Sequence, residues 1–118
     1  DRDSVSTLIE LLGDDNTEIV NLAVAALIEI TKNDFGRSKR RWKSWVEQNS
    51  EAKRMDWLIA GLSHKAAHVR KSAQKELNTL TGEYLDYQFD ASRSARAAGV
   101  SRWEEWWARH SEESKWRG

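Results

Sequence analysis

Residues 18–31 read EIVNLAVAALIEIT, and the fold follows from how that stretch has to be covered. It holds neither Pro nor Gly. Ile19, Leu22, Ala23, Ala26, Leu27 and Ile30 recur at helical spacing and form one wide apolar stripe. Val20, Val24 and Ile28 add a second stripe at every fourth position. A helix that is apolar nearly all round needs neighbours on most of its sides. The stretch therefore predicts the buried central helix of an all-α protein.

Its flanks carry helix signals. Upstream, Val5, Leu8, Ile9 and Leu12 make the stripe of a first helix, with Ser4 or Ser6 as its cap and Gly13 past its end. Asp14-Asp15-Asn16-Thr17 is a short turn that ends in good N-cap residues. Downstream, Lys32-Asn33-Asp34-Phe35-Gly36 breaks the pattern. A third helix is expected over residues 38–48, with Trp42, Trp45 and Val46 on one face.

The same arrangement then recurs. At an offset of fifty residues, Leu8-Ile9 falls on Leu58-Ile59, Leu12 on Leu62, Ile19 on Val69 and Ala23 on Ala73. Leu27 then falls on Leu77, Ile30 on Leu80 and Thr31 on Thr81. Arg41-Trp42-Lys43-Ser44-Trp45-Val46 matches Arg102-Trp103-Glu104-Glu105-Trp106-Trp107 at an offset larger by eleven, which places an insertion between them. Helices are expected over about 52–62, 67–80 and 100–109, with residues 83–99 as an inserted loop. A period of this size in a helical chain means stacked helical units. The positions matching Val20, Val24 and Ile28 are Arg70, Gln74 and Asn78, a polar stripe expected to face water at the end of a stack.

Composition bounds the function. A chain of 118 residues with 19 basic and 19 acidic side chains has no net charge, which removes the global argument for nucleic acid or an anionic membrane. A mean hydropathy of −0.78 and no apolar run near the ~18 residues of a membrane span predict a protein without membrane partners. There is no Cys and no Pro, so no disulfide framework, no thiolate metal site, and long helices with short joints. The start Asp1-Arg2-Asp3, without Met or an apolar leader, reads as a fragment or a processed form, with a cytoplasmic site slightly favoured.

The pattern resembles HEAT-like repeat proteins. Val69-Arg70, Ala73, Leu77 and Leu80 are similar to the V-R-x-x-A-x-x-x-L core of that family's inner helix. The first copy keeps Ile19, Ala23, Leu27 and Ile30 but has Val20 in place of the Arg. A bacterial subset, whose repeats end in T-G-x-(D/Y)-F-G and then R-W-x-x-W-W, is closer. Thr81-Gly82-Glu83-Tyr84 with Arg102-Trp103-Glu104-Glu105-Trp106-Trp107 matches that ending, and Asp34-Phe35-Gly36 with Arg41-Trp42-Lys43-Ser44-Trp45 is a shorter version. The turn His64-Lys65-Ala66-Ala67 departs by lacking the family's acidic turn residue. The resemblance implies a single α-solenoid domain over 1–118: repeat 1 over about 4–50, repeat 2 over about 51–111, and a tail at 112–118. It implies a non-catalytic scaffold that binds protein.

The seven Trp residues are the first candidates for a binding surface. Those of the two third helices repeat, and read as core. Trp57 and Trp116 have no repeat partner and are expected to be exposed and partner-facing, together with the loop aromatics Tyr87 and Phe89. The alternative partner is nucleic acid, gripped by Arg37, Lys39, Arg40, Arg41 and Lys43 around Trp42 and extended by Arg93, Arg96 and Arg102. The 18–31 face is where a second copy would pack. His64 and His68 have i, i+4 spacing but no carboxylate where a metal site needs one, and no His-Glu dipeptide occurs. No metal, cofactor or catalytic site is expected.

Overall fold

The turn before the central helix organises the first unit locally. Asp14 Oδ1 accepts the Asn16 N–H at 2.7 Å, and Asn16 Oδ1 accepts the Glu18 N–H at 2.9 Å. Asn16 is thereby the N-cap of α2 (Thr17–Thr31), with acidic Glu18 in the first turn, at the positive end of the helix. At the other end Lys32 takes a left-handed conformation and its N–H returns to Ile28 O at 2.8 Å. Thr31 Oγ1 donates to Leu27 O at 2.7 Å, and the same oxygen accepts the Asn33 N–H at 3.2 Å.

The computed structural model describes residues 2–49 and 53–116. The remaining helices are α1 (Arg2–Leu11), α3 (Lys39–Gln48), α4 (Arg54–Gly61), α5 (Ala67–Thr81) and α6 (Arg93–His110). A 3-10 turn, Ser114–Trp116, follows, and no strand occurs among the described residues. The protein is all-α. The chain divides into two compact units, Asp1–Lys53 and Arg54–Gly118.

In the first unit α1 packs on α2, and α3 packs on α1. The buried line of α2 is Val20, Ala23, Leu27 and Thr31. It runs between the two stripes read from the sequence, and Leu22, assigned to the first of them, is 71% exposed. Val5, Ile9 and Leu12 of the α1 segment and Trp42 of α3 are buried. Ser4 and Ser6 lie inside α1, not at its cap, because the turn carrying buried Val5 is itself helical.

In the second unit α4 packs on α5, and α6 packs on α4, the same order of packing. The end of the central helix is rebuilt. Thr81 Oγ1 donates to Leu77 O at 2.7 Å and accepts the Glu83 N–H at 3.0 Å. Gly82 is left-handed and its N–H returns to Asn78 O at 2.9 Å. The helix start is rebuilt with a different residue: His64 Nδ1 accepts the Ala66 N–H at 2.9 Å, as Asp14 does for Asn16. The cap itself is not rebuilt, since Ala66, in the place of Asn16, makes no side-chain cap hydrogen bond. Met55, Leu58, Ile59, Leu62, Ala73, Leu77, Tyr87 and Trp103 form the core of this unit. Expected Ala52 at the start of α4 lies outside the described residues.

Two sequence expectations are corrected in this unit. The polar stripe of α5 does not face water: Arg70 is only 9% exposed, and Gln74 and Asn78 are half-buried. The segment 83–92 engages the first two, since Gln74 Oε1 accepts the Phe89 N–H at 2.9 Å and Arg70 Nε donates to Phe89 O at 2.9 Å. The predicted loop 83–99 is also shorter. Helix α6 begins at Arg93, capped by Ser92 Oγ accepting the Ala95 N–H at 3.2 Å. Ala95, Ala97 and Ala98 favour helix there, and Gly99, which suggests a break, serves packing instead.

Candidate interaction surfaces

The inserted segment is held by arginine side chains on both sides. Arg70 forks onto three carbonyls: Nε to Phe89 O, and Nη1 to His64 O at 2.8 Å and Lys65 O at 2.9 Å. Its charge is tolerated at the buried position matching Val20 because those carbonyl dipoles replace water. Arg102 Nε donates to Leu85 O at 2.5 Å and Nη2 to Asp86 O at 2.8 Å. These two residues are consecutive and left-handed, at φ 50° and 54°, a conformation that Leu rarely adopts. Arg96 Nε donates to Ala91 O at 3.2 Å. Arg96 and Arg102 thus hold their own loop.

The loop aromatics divide. Tyr87 is 1% exposed and its hydroxyl donates to Leu62 O at 2.7 Å. It is a core residue, and its expected role as a partner contact is corrected: the insertion folds back and plugs the α4–α6 side with this ring. Burial raises its phenol pKa above the usual value, with Arg70 and Arg96 opposing. Gly99 makes room for it, since a Cβ there would lie 2.8 Å from Tyr87 Cδ2 and 3.1 Å from its Cα. Phe89 is half-buried under Lys71, whose Nζ sits 5.7 Å from the ring centroid. Tyr84 is 65% exposed.

Trp57 is buried at 9% exposure, with the Arg54 guanidinium 6.0 Å from its ring centroid. Its expected exposure is corrected, because α4 turns nearly all of its apolar residues inward. Trp116 is half-buried, edge-on to Trp106 at 6.1 Å and to Trp107 at 5.8 Å. It closes an aromatic cluster in which Trp106 stacks on His110 at 4.1 Å and meets Trp103 at 5.9 Å. Of the four aromatics proposed for partner contact, Phe89 and Trp116 keep part of their surface.

The Trp pair at matching positions is core in both units: Trp42 and Trp103 are each 0% exposed. Trp42 Nε1 donates to Gly36 O at 2.8 Å, whereas Trp103 Nε1 is buried without a hydrogen bond. The preceding Arg holds the incoming segment each time, Arg41 by lying 5.1 Å from the Phe35 ring centroid and Arg102 through carbonyls.

Helix α3 carries the basic run, and the structure places its cations on several partners. Ser38 caps it, accepting the Arg41 N–H. Lys39 and Lys43 converge on the two oxygens of Glu10, at 3.1 and 3.5 Å. The Lys39 hydrogen bond, then the Lys39 and Lys43 charges, hold the Glu10 carboxyl below its usual pKa. Arg37 Nη2 donates to Asn21 Oδ1 at 2.8 Å. Arg40 is exposed and borders a shallow cleft of about 260 Å³ with Phe35, Arg41, Ser44, Trp45 and Gln48. Trp45, not singled out as a contact from the sequence, is half-buried there; its i+3 relation to Trp42 is what hid it, since the pair reads as core.

His68 is exposed on α5, and no group of three or more His, Asp or Glu among the described residues is arranged to hold a metal. Among the described residues no helix is long and apolar enough to cross a membrane. No family model, curated protein or solved structure matches the chain.

Proposed function

We propose that this chain is a non-catalytic protein-interaction module built as a short α-solenoid of two HEAT-like repeats. The observation that carries the reading is the helix end built twice. Thr31 and Thr81 each bond back to the carbonyl four residues earlier and accept the second following amide, and a left-handed residue closes each helix. In each unit a third helix buries an Arg-Trp tryptophan. Repetition at this level is what solenoids use to extend a surface, and such surfaces serve binding more than catalysis.

The partner surface we assign is the α3 cleft: apolar at Phe35 and Trp45, basic at Arg40 and Arg41, and suited to an acidic protein segment. The test is affinity capture from native extract, with and without nuclease, using the wild-type chain and a Trp45→Ala, Arg40→Glu variant. A stoichiometric protein retained after nuclease and lost with the variant supports the reading. Capture that the variant leaves unchanged removes α3 from it.

The second reading is nucleic acid on the same helix, where Lys39 and Lys43 share one carboxylate, Glu10, and Arg40 is exposed. It predicts an affinity that falls steeply with salt, with a log–log slope near the number of phosphates contacted. Binding that survives Glu substitution at Arg37, Arg40 and Arg41 excludes it.

A further inference from the structure

The second unit contains an open cleft of about 510 Å³ between the α4–α5 turn and the first turns of α6. Its charged lining is basic: Lys65, Arg70, Arg93 and Arg96, with no Asp or Glu. This segregation occurs in a chain whose net charge is zero. Two of the cations are uncommitted. Lys65 and Arg93 are exposed, and neither side chain makes an ion pair or hydrogen bond among the described residues. The other two are preset: Arg70, nine-tenths buried, is fixed by three carbonyls and Arg96 by one. Arg70 Nη2 has no hydrogen-bond partner among the described residues. Leu62, Ala97 and Val100 supply the apolar wall.

We infer that this cleft binds a small oxyanion carrying two or more charges, of the phosphomonoester or pyrophosphate class. Four cations without a counter-charge repel one another, and a multiply charged anion relieves that repulsion where a lone carboxylate leaves most of it. Planar guanidinium groups offer paired donors that match the oxygens of phosphate. Arg70 and Arg96 are already ordered by the fold, so binding immobilises only Lys65 and Arg93. The lining has no Phe, Tyr or Trp ring on which a nucleobase would stack, and its one imidazole, His64, is tied to the Ala66 N–H, so the phosphate group is the recognised part.

The site is built from residues of the second unit alone and does not depend on the interaction reading above, which rests on α3 of the first unit. The experiment is a titration of the full chain with sodium pyrophosphate at constant ionic strength, followed by amide NMR. The expected result is saturable one-to-one shifts confined to residues 62–65 and 93–97. A Lys65→Ala, Arg93→Ala variant keeps its fold, since neither side chain holds structure, and loses affinity by about tenfold or more. Arg40→Ala leaves affinity unchanged. Shifts that do not saturate, that centre on α3, or that persist unweakened in the double variant overturn the inference.

Discussion

Gly99→Ala sets helix propensity against packing, and the structure decides which wins. Gly99 lies in the interior of α6, where Ala is favoured over Gly by about 1 kcal/mol. By propensity alone the substitution stabilises. The new Cβ, however, would sit 2.8 Å from Tyr87 Cδ2, 3.0 Å from its Cβ and 3.1 Å from its Cα. The last contact is backbone, so no rotamer change of Tyr87 relieves it. Overpacking of this kind costs up to about 3 kcal/mol. Displacing the ring also strains the hydroxyl bond to Leu62 O, worth about 1 kcal/mol. The net expectation is a loss of about 3 kcal/mol from the second unit, read in urea by circular dichroism as a midpoint lowered by more than 1 M. The adjacent Ala98→Gly, at an exposed position, is the control and costs about 1 kcal/mol. In a Tyr87→Ala background Gly99→Ala costs less, because the ring contact is gone. If Gly99→Ala equals or exceeds the wild-type chain in stability, α6 and the inserted segment are not in this contact and the reasoning fails.

Three further outcomes follow from the same unit. Arg70→Met leaves the carbonyls of His64, Lys65 and Phe89 without their donor and lowers stability by about 3 kcal/mol in a denaturant melt. Arg70→Lys recovers little of this, since one ammonium cannot span the fork; a full rescue by Lys contradicts the assignment. Asn78 Oδ1 is buried without a partner, so Asn78→Ile, the residue matched at Ile28, raises stability by about 1 kcal/mol, and a lowered melting temperature counts against it. Tyr87 has a folded pKa raised above its unfolded value near 10, so the folded state holds its proton longer. Its contribution is complete below pH 10 and is lost as pH rises through the folded pKa. Melting temperature should fall from pH 9 to pH 11, and Tyr87→Phe should flatten that slope.

The twofold helical pattern was legible because apolar spacing is local: a stripe at i, i+3, i+4 predicts a helix whatever covers it. All six helices, the Asn16 cap, and burial of Trp42 and Trp103 follow from that reading. The site was less legible. Trp57, Tyr87 and Trp116 lack repeat partners, and that fact says nothing about exposure, which depends on residues distant in sequence. Lys65 and Arg93, separated by a helix and a loop, meet across one cleft only once α6 is placed.

The sequence by itself determined an all-α chain with two related helical segments, because periodicity, caps and turn residues act over a few positions. Only the tertiary structure decided where the polar stripe of α5 points. Arg70, Gln74 and Asn78 carry the signature of a solvated face, yet the inserted segment returns over the first two. Arg70 and Gln74 meet the hydrogen-bonding groups of its backbone. A polar side chain is equally satisfied by water or by a carbonyl, so composition cannot separate the two; the path of the chain does.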